Sequence, residues 1–143
     1  MEMNTSKSLQ ELEGKDWGDA GHTTYLVRRC HELHRVPLKN LSAEDCRLLR
    51  GQNIGAPFVV PIALQFLEDD PLEAGTMFPG ALLHNVLQLK APFWEEHPEL
   101  AWEVQQILFE VEAVRKSIED LAPQTQQFQQ ILNSLIGIKN SQV

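Results

Sequence analysis

This 143-residue chain predicts an all-α fold, a single compact, irregular domain of five or six helices. Apolar residues recur at steps of three and four in several segments, the period of one helix face. No segment alternates apolar and polar residues over strand length, and neither Asn-Gly nor Asp-Gly, the strongest short hairpin signals, occurs. No repeat of fixed period divides the chain. Residues 1–143 are therefore expected to form one domain, with 7–121 as the main body and 122–143 as a C-terminal helix and short tail.

The elements follow in order. Leu9–Glu13 makes one helical turn stopped by Gly14, and residues 14–21 hold three glycines around Trp17, a loop anchored by one large ring. From Thr24 a helix places Tyr25, Leu26, Arg29, Cys30 and Leu33 on one side, and Pro37 ends it by forcing its predecessor out of the α region. Ser42-Ala43-Glu44-Asp45 is a helix start, with Asp45 a short version of the capping-box acid, and that helix runs to Gly51. Apolar residues at 58, 59, 62, 63, 66 and 67 predict a helix over about 57–68, beginning near 59 if Pro61 is to stay in its first turn. After the acidic turn 68–75, Phe78-Pro79-Gly80 introduces a short helix with Leu82, Leu83, Val86, Leu87 and Leu89 inward. Phe93-Trp94 reads as an aromatic turn or single helical turn. Pro98 then opens the clearest helix, whose stripe runs Leu100, Val104, Ile107, Leu108, Val111, Val114, Ile118 and Leu121. Glu112 with Lys116 and Arg115 with Glu119 can pair along it at i,i+4. Pro123 is expected to interrupt it, and a last helix carries Phe128, Ile131, Leu132, Leu135 and Ile136 to a stop at Gly137.

Composition narrows the function. With 43% hydrophobic and 22% charged residues the chain is ordinarily globular, and 12 cations against 20 acids leave a net charge of −8. That balance argues against direct nucleic-acid binding, which needs a basic face. The charge is local: residues 22–53 are net positive, whereas 54–121 hold twelve acids and only Lys90, Arg115 and Lys116. Ile54–Leu67, the longest apolar stretch, is too short and too interrupted to cross a bilayer. The polar opening residues carry no secretory signal, so a cytoplasmic protein with reduced thiols is expected.

Catalytic chemistry is not indicated. Cys30-His31-Glu32-Leu33-His34 comes near a His-Glu-x-x-His zinc motif, but its histidines are three apart and no second Cys/His pair stands at fitting spacing. No metal and no cofactor is expected; Cys30 and Cys46 read as buried apolar residues, and the histidines as groups favoured near a helix C-terminus. Glu95-Glu96, Glu68-Asp69-Asp70 and Glu99/Glu103 lie in polar contexts with nothing to raise a carboxyl pKa, so they read as a surface rather than an acid–base pair. Nucleophile elbow, Walker motif and glycine-rich phosphate loop are all missing from the sequence. Trp17, Trp94 and Trp102 each read as anchors packed on helices, and a partner hot spot is the alternative, best placed at Trp102, which lies off the apolar stripe beside Glu99 and Glu103. The candidate partner-binding residues are Glu68, Asp69, Asp70, Glu73, Glu96, Glu99, Trp102 and Glu103.

Several short motifs in order carry a resemblance. They are Leu12-Glu13-Gly14-Lys15-Asp16-Trp17-Gly18, Thr24 through Leu33, Pro37-Leu38, Glu44-Asp45-Cys46-Arg47-Leu48-Leu49, Gly51-Gln52-Asn53-Ile54-Gly55, Pro61-Ile62-Ala63-Leu64, Phe78-Pro79-Gly80-Ala81-Leu82-Leu83 and Phe93-Trp94. Over residues 9–110 the chain resembles the small bacterial contact-dependent growth inhibition immunity proteins, the CdiI type. Ala81 departs from the acidic residue the family places after Phe-Pro-Gly, and the tail after Pro123 lies outside the likeness. The resemblance implies a protein that binds and neutralises the cognate C-terminal toxin domain of a delivered effector, as a non-catalytic inhibitor. Such toxins are often nucleases with basic clefts, which an acidic surface can fill as a phosphate mimic. Opposite fields would steer association to about 10⁸ M⁻¹s⁻¹ at low salt. The chain itself is expected to be a monomer or weak dimer. A partner on the basic 22–53 helices, and a small helical adaptor or dimerisation module built on the Phe128–Ile136 stripe, are the readings that compete with it.

Overall fold

The computed structural model describes residues 3–141, with side chains through residue 137. Among these are seven α-helices and one 3₁₀ turn, and no strand: α1 (Leu9–Glu13), α2 (Tyr25–Leu33), the 3₁₀ turn (Leu38–Asn40), α3 (Ala43–Gly51), α4 (Ala56–Asp69), α5 (Ala81–Leu87), α6 (Ala91–Glu96) and α7 (Pro98–Ser141). The all-α class holds. The count exceeds six because the aromatic turn at Phe93-Trp94 closes as a helix of its own. By packing the chain divides into two units, Met1–Leu108 and Phe109–Val143.

The first unit is built around α3 and α4. Helix α3 packs against α2, α4 and α5. Its start is the expected reciprocal cap: the Asp45 N–H donates to Ser42 Oγ at 3.1 Å, and the Ser42 N–H donates to Asp45 Oδ2 at 3.0 Å. Helix α4 buries Val59, Val60, Ile62, Ala63, Leu64 and Leu67, an apolar surface too broad for one stripe, as befits a central helix. It starts at Ala56, earlier than the prolines suggested, so Pro61 lies inside it and withholds one N–H from the carbonyl of Pro57. Burial of the surrounding side chains outweighs that single bond. Gly55 precedes it at φ +62°, where a Cβ would stand 2.7 Å from Leu9 Cδ2, so only glycine allows α1 and α4 this close.

The N-terminal segment is tied down by backbone pairing without a ladder: the Leu38 N–H donates to Lys7 O at 3.0 Å, and the Lys39 N–H to Thr5 O at 2.9 Å. Helix α1 carries a capping box of its own, Ser8 with Glu11, and ends at Gly14. The loop that follows is held by its ring: Trp17 stacks on His34 with centroids 3.7 Å apart and planes 11° apart. Two inward assignments fail. Tyr25 is 71% exposed and Leu87 46%, because each sits on an end turn with no neighbouring helix to cover it. Ala81 is buried, and α5 starts at Gly80 without a side-chain cap, so the missing acid leaves that helix end uncapped.

The second unit is the stretch of α7 from Phe109 onward. Contrary to expectation, Pro123 does not break α7 and Gly137 does not stop it; the helix runs to Ser141. Pro123 lies inside the helix and withholds one N–H from the carbonyl of Glu119, a local cost that leaves the hydrogen bonds of the turns on either side in place. From residue 112 to 137 every side chain except Leu132 is exposed. Arg115 pairs along the helix with Glu119, as its spacing predicts, and also with Glu112.

Candidate partner-binding surface

Two acids far apart in sequence, Glu68 and Glu103, lie near enough in the first unit for their charges to repel. Glu68 lies in the last turn of α4, and Glu99, Trp102 and Glu103 share one face of the first turns of α7 at i, i+3 and i+4. Burial raises the pKa of the Glu103 carboxyl above its ordinary value, and the neighbouring carboxylates of Glu68 and Glu99 raise it further. The expectation that no carboxyl here is desolvated is therefore corrected at Glu103: half-burial against the first unit was not visible from its polar sequence neighbours. Trp102 stands in water at 68% exposure between the two α7 acids. The arrangement is a negatively charged surface with one large, uncovered aromatic ring.

The other predicted residues are placed differently. Glu96 is exposed at the end of α6. Asp69 borders a cavity of about 280 Å³ with Thr5, Leu38 and Lys39. Asp70 and Glu73 hold the loop after α4, Asp70 Oδ1 accepting from the Leu72 N–H at 3.0 Å and Glu73 Oε1 from the Gly75 N–H at 3.3 Å. Glu68, Glu99 and Glu103 are thus the acids brought together, and Asp70 and Glu73 are turn-forming.

Glu44 was not anticipated. It forms a fork with Arg47 and also accepts from the Thr76 N–H at 3.0 Å and the Thr76 hydroxyl at 2.9 Å. The Arg47 hydrogen bonds, opposed by burial and aided by Thr76, hold its pKa at about 2. Gly75 sits at φ +58° directly over it, where a Cβ would fall 2.1 Å from Glu44 Oε2. This clamp fixes the 71–80 loop, which leaves Met77 57% and Phe78 50% exposed. Nothing near Glu44 in sequence signals a partner 32 residues away. Arg50 was missed likewise: it is 4% exposed, its Nη1 donates to Ile54 O at 3.4 Å, and burial lowers its pKa.

The Cys-His cluster is occupied by packing. His34, 1% exposed, meets Glu13 Oε1 through Nε2 at 2.7 Å beneath Trp17, and His31 Nδ1 lies 3.4 Å from Gly18 O. Cys30 and Cys46 are buried, and burial, with Asp45 adding, pushes the Cys46 thiol up to about 12. Among the described residues no group of three or more His, Cys, Asp or Glu side chains is placed to hold a metal ion, and no helix is long and apolar enough to cross a membrane. The basic segment supplies a cavity of about 400 Å³ bordered by Gly18, Asp19, Arg28, His31, Glu32 and Arg35. Arg35 is committed there to the loop, donating to Gly18 O at 2.6 Å and pairing with Asp16 at 3.6 Å.

A family model described as CDI immunity proteins matches residues 11–104, from α1 through the first turns of α7. That span contains all eight candidate surface residues and stops one residue after Glu103. No curated protein and no solved structure matches the chain.

Proposed function

The chain belongs to the CDI immunity proteins, and on that premise we propose that it neutralises its toxin by direct, stoichiometric binding through the surface of Glu68, Glu99, Trp102 and Glu103. The observation that carries this reading is the convergence of Glu68 with Glu99 and Glu103, distant in sequence, on an exposed tryptophan. A fold that holds a half-buried carboxyl between two others forgoes stability to do so, and such unpaired charge is characteristic of functional surfaces. A cationic partner relieves both repulsions on Glu103 at once. Trp102 supplies the buried anchor that charge alone does not, since affinity at such interfaces rests on a few aromatic or arginine contacts. The toxin face that fits is basic, as a nuclease cleft is, with Glu96 extending the acidic rim.

This mechanism needs no turnover: the protein occupies a surface and stays there. Its electrostatics also set a pH sign. Burial and the neighbouring carboxylates raise the pKa of Glu103 in the free protein and an approaching cation lowers it, so binding releases a proton and affinity rises with pH as Glu103 ionises. The test is complex formation with the toxin domain encoded beside this protein, together with rescue of cells expressing that toxin. A tight equimolar complex that weakens with salt is expected. Absence of both complex and rescue overturns the reading. Binding that survives lysine at Glu68, Glu99 and Glu103 keeps immunity but removes this surface from it.

A further inference from the structure

We propose that the second unit joins a second copy of itself as a parallel, two-stranded coiled coil. From Val104 to Leu135 the a and d positions of α7 step by four and three and are apolar at every place but Thr125, a heptad sustained over more than four repeats. Leu100, Val104 and Ile107 spend this seam on the core of the first unit and are at most 6% exposed. In the second unit the same seam continues uncovered. Its a positions are Val111, Ile118, Thr125 and Leu132, and its d positions are Val114, Leu121, Phe128 and Leu135. Three of the four a positions are β-branched and two of the four d positions are Leu, with Val114 and Phe128 at the others; β-branched a with Leu at d is the pattern that favours two parallel strands. The Thr125 hydroxyl is satisfied within its own helix by Leu121 O at 2.9 Å, leaving its methyl group for the seam.

The flanks agree. In parallel register a g residue faces the e residue five positions later on the second copy, which sets Glu110 against Arg115, an opposite-charge pair. The lower g and e positions, Ile131 and Ile136, are apolar, 50% and 56% exposed, and meet by the same rule. Positions b and c are polar throughout the second unit apart from Ala113. Both weak helix formers, Pro123 and Gly137, fall at f, the outermost position, two heptads apart. A proline on that side leaves the seam unbroken and bends a helix convex toward water, the sense in which one strand wraps another. Phe109, also at f, stays in solvent in this register. Seating the two faces together removes on the order of 1,000 Å² from water, the size a specific interface requires.

Sedimentation equilibrium of the full chain across the micromolar range is expected to give twice the 16.3 kDa chain mass. The double variant Ile118→Glu, Leu121→Glu is expected to sediment as a monomer, with the unfolding of the first unit unchanged, since both side chains are about 60% exposed in the single chain. Leu121→Cys should cross-link to its own copy on oxidation, whereas Gln126→Cys at b should not. A monomer mass throughout, or a dimer that survives the double variant, overturns the proposal. So does a dimer whose Leu121→Cys form fails to cross-link. If the chain is monomeric and the double variant loses its toxin, the face belongs to the toxin and the coiled coil is wrong.

Discussion

One apolar stripe runs through two regions that use it in opposite ways. In Met1–Leu108, Leu100, Val104 and Ile107 are buried; in Phe109–Val143, Ile118, Leu121 and Phe128 on the same stripe are each about 60% exposed. The residue types barely differ between them. Amphipathic periodicity specifies a helix and a face, but not what covers the face, and the two regions therefore owe their stability to different things. The first rests on side-chain burial around α3 and α4. The second rests on backbone bonds, helix propensity and pairs such as Arg115 with Glu112 and Glu119.

The largest effect separates the two regions by core truncation. Leu64→Ala, at a fully buried site, is expected to cost about 3–4 kcal/mol in urea unfolding, whereas Leu121→Ala should leave the first unit's transition in place. Equal losses would show the regions to be one cooperative body. Next comes Trp102→Ala, expected to change stability by less than about 0.5 kcal/mol while weakening toxin binding by about 2–3 kcal/mol. Calorimetric titration beside thermal melting measures both, and Phe78→Ala on the clamped loop is the comparison that asks whether the anchor is Trp102 alone.

A smaller effect concerns the Glu44 clamp. Its folded pKa of about 2 lies below the ordinary 4.5, so its contribution is present in full above that ordinary value and is lost as pH falls through about 2. At its quarter-exposed site, screening holds this to about 1–2 kcal/mol. Glu44→Gln should therefore destabilise at pH 7 and hardly at all near pH 2, and a loss independent of pH would assign the clamp to packing. The smallest effect has the opposite sign. Glu103 is raised in the folded state, so it favours folding less as pH climbs past the carboxyl range. Glu103→Gln is expected to stabilise by about 0.2–0.5 kcal/mol at pH 7, the size of one relieved i,i+4 repulsion, while slowing toxin association. Slower association without the stability gain would mean that Glu103 is not strained in the free protein.

Contacts spanning four residues or fewer were legible from the chain alone. The Ser42–Asp45 cap, the stop of α1 at Gly14, the start of α7 at Pro98 and the Arg115–Glu119 pair follow from local geometry. The Ser8–Glu11 box carried the same kind of signal, Ser-x-x-Glu ahead of a helical turn, and marks a helix start as plainly as Ser42 does. Glu13 with His34, Glu44 with Thr76 and Glu68 with Glu103 were not legible, because 21 to 35 residues separate each pair and no residue type announces such a partner. Pro123 misled in the other direction: an interior proline was expected to end the helix, and it costs one hydrogen bond without ending it.

By itself the sequence determined the helices, their caps, the heptad phase of α7 and an acidic charge concentrated in its middle third, since all of these depend on near neighbours and composition. The tertiary structure decided which stripe is covered, which carboxylates meet and which titrate away from their ordinary range. Those outcomes depend on burial, and burial is set by elements that only the folded chain brings side by side.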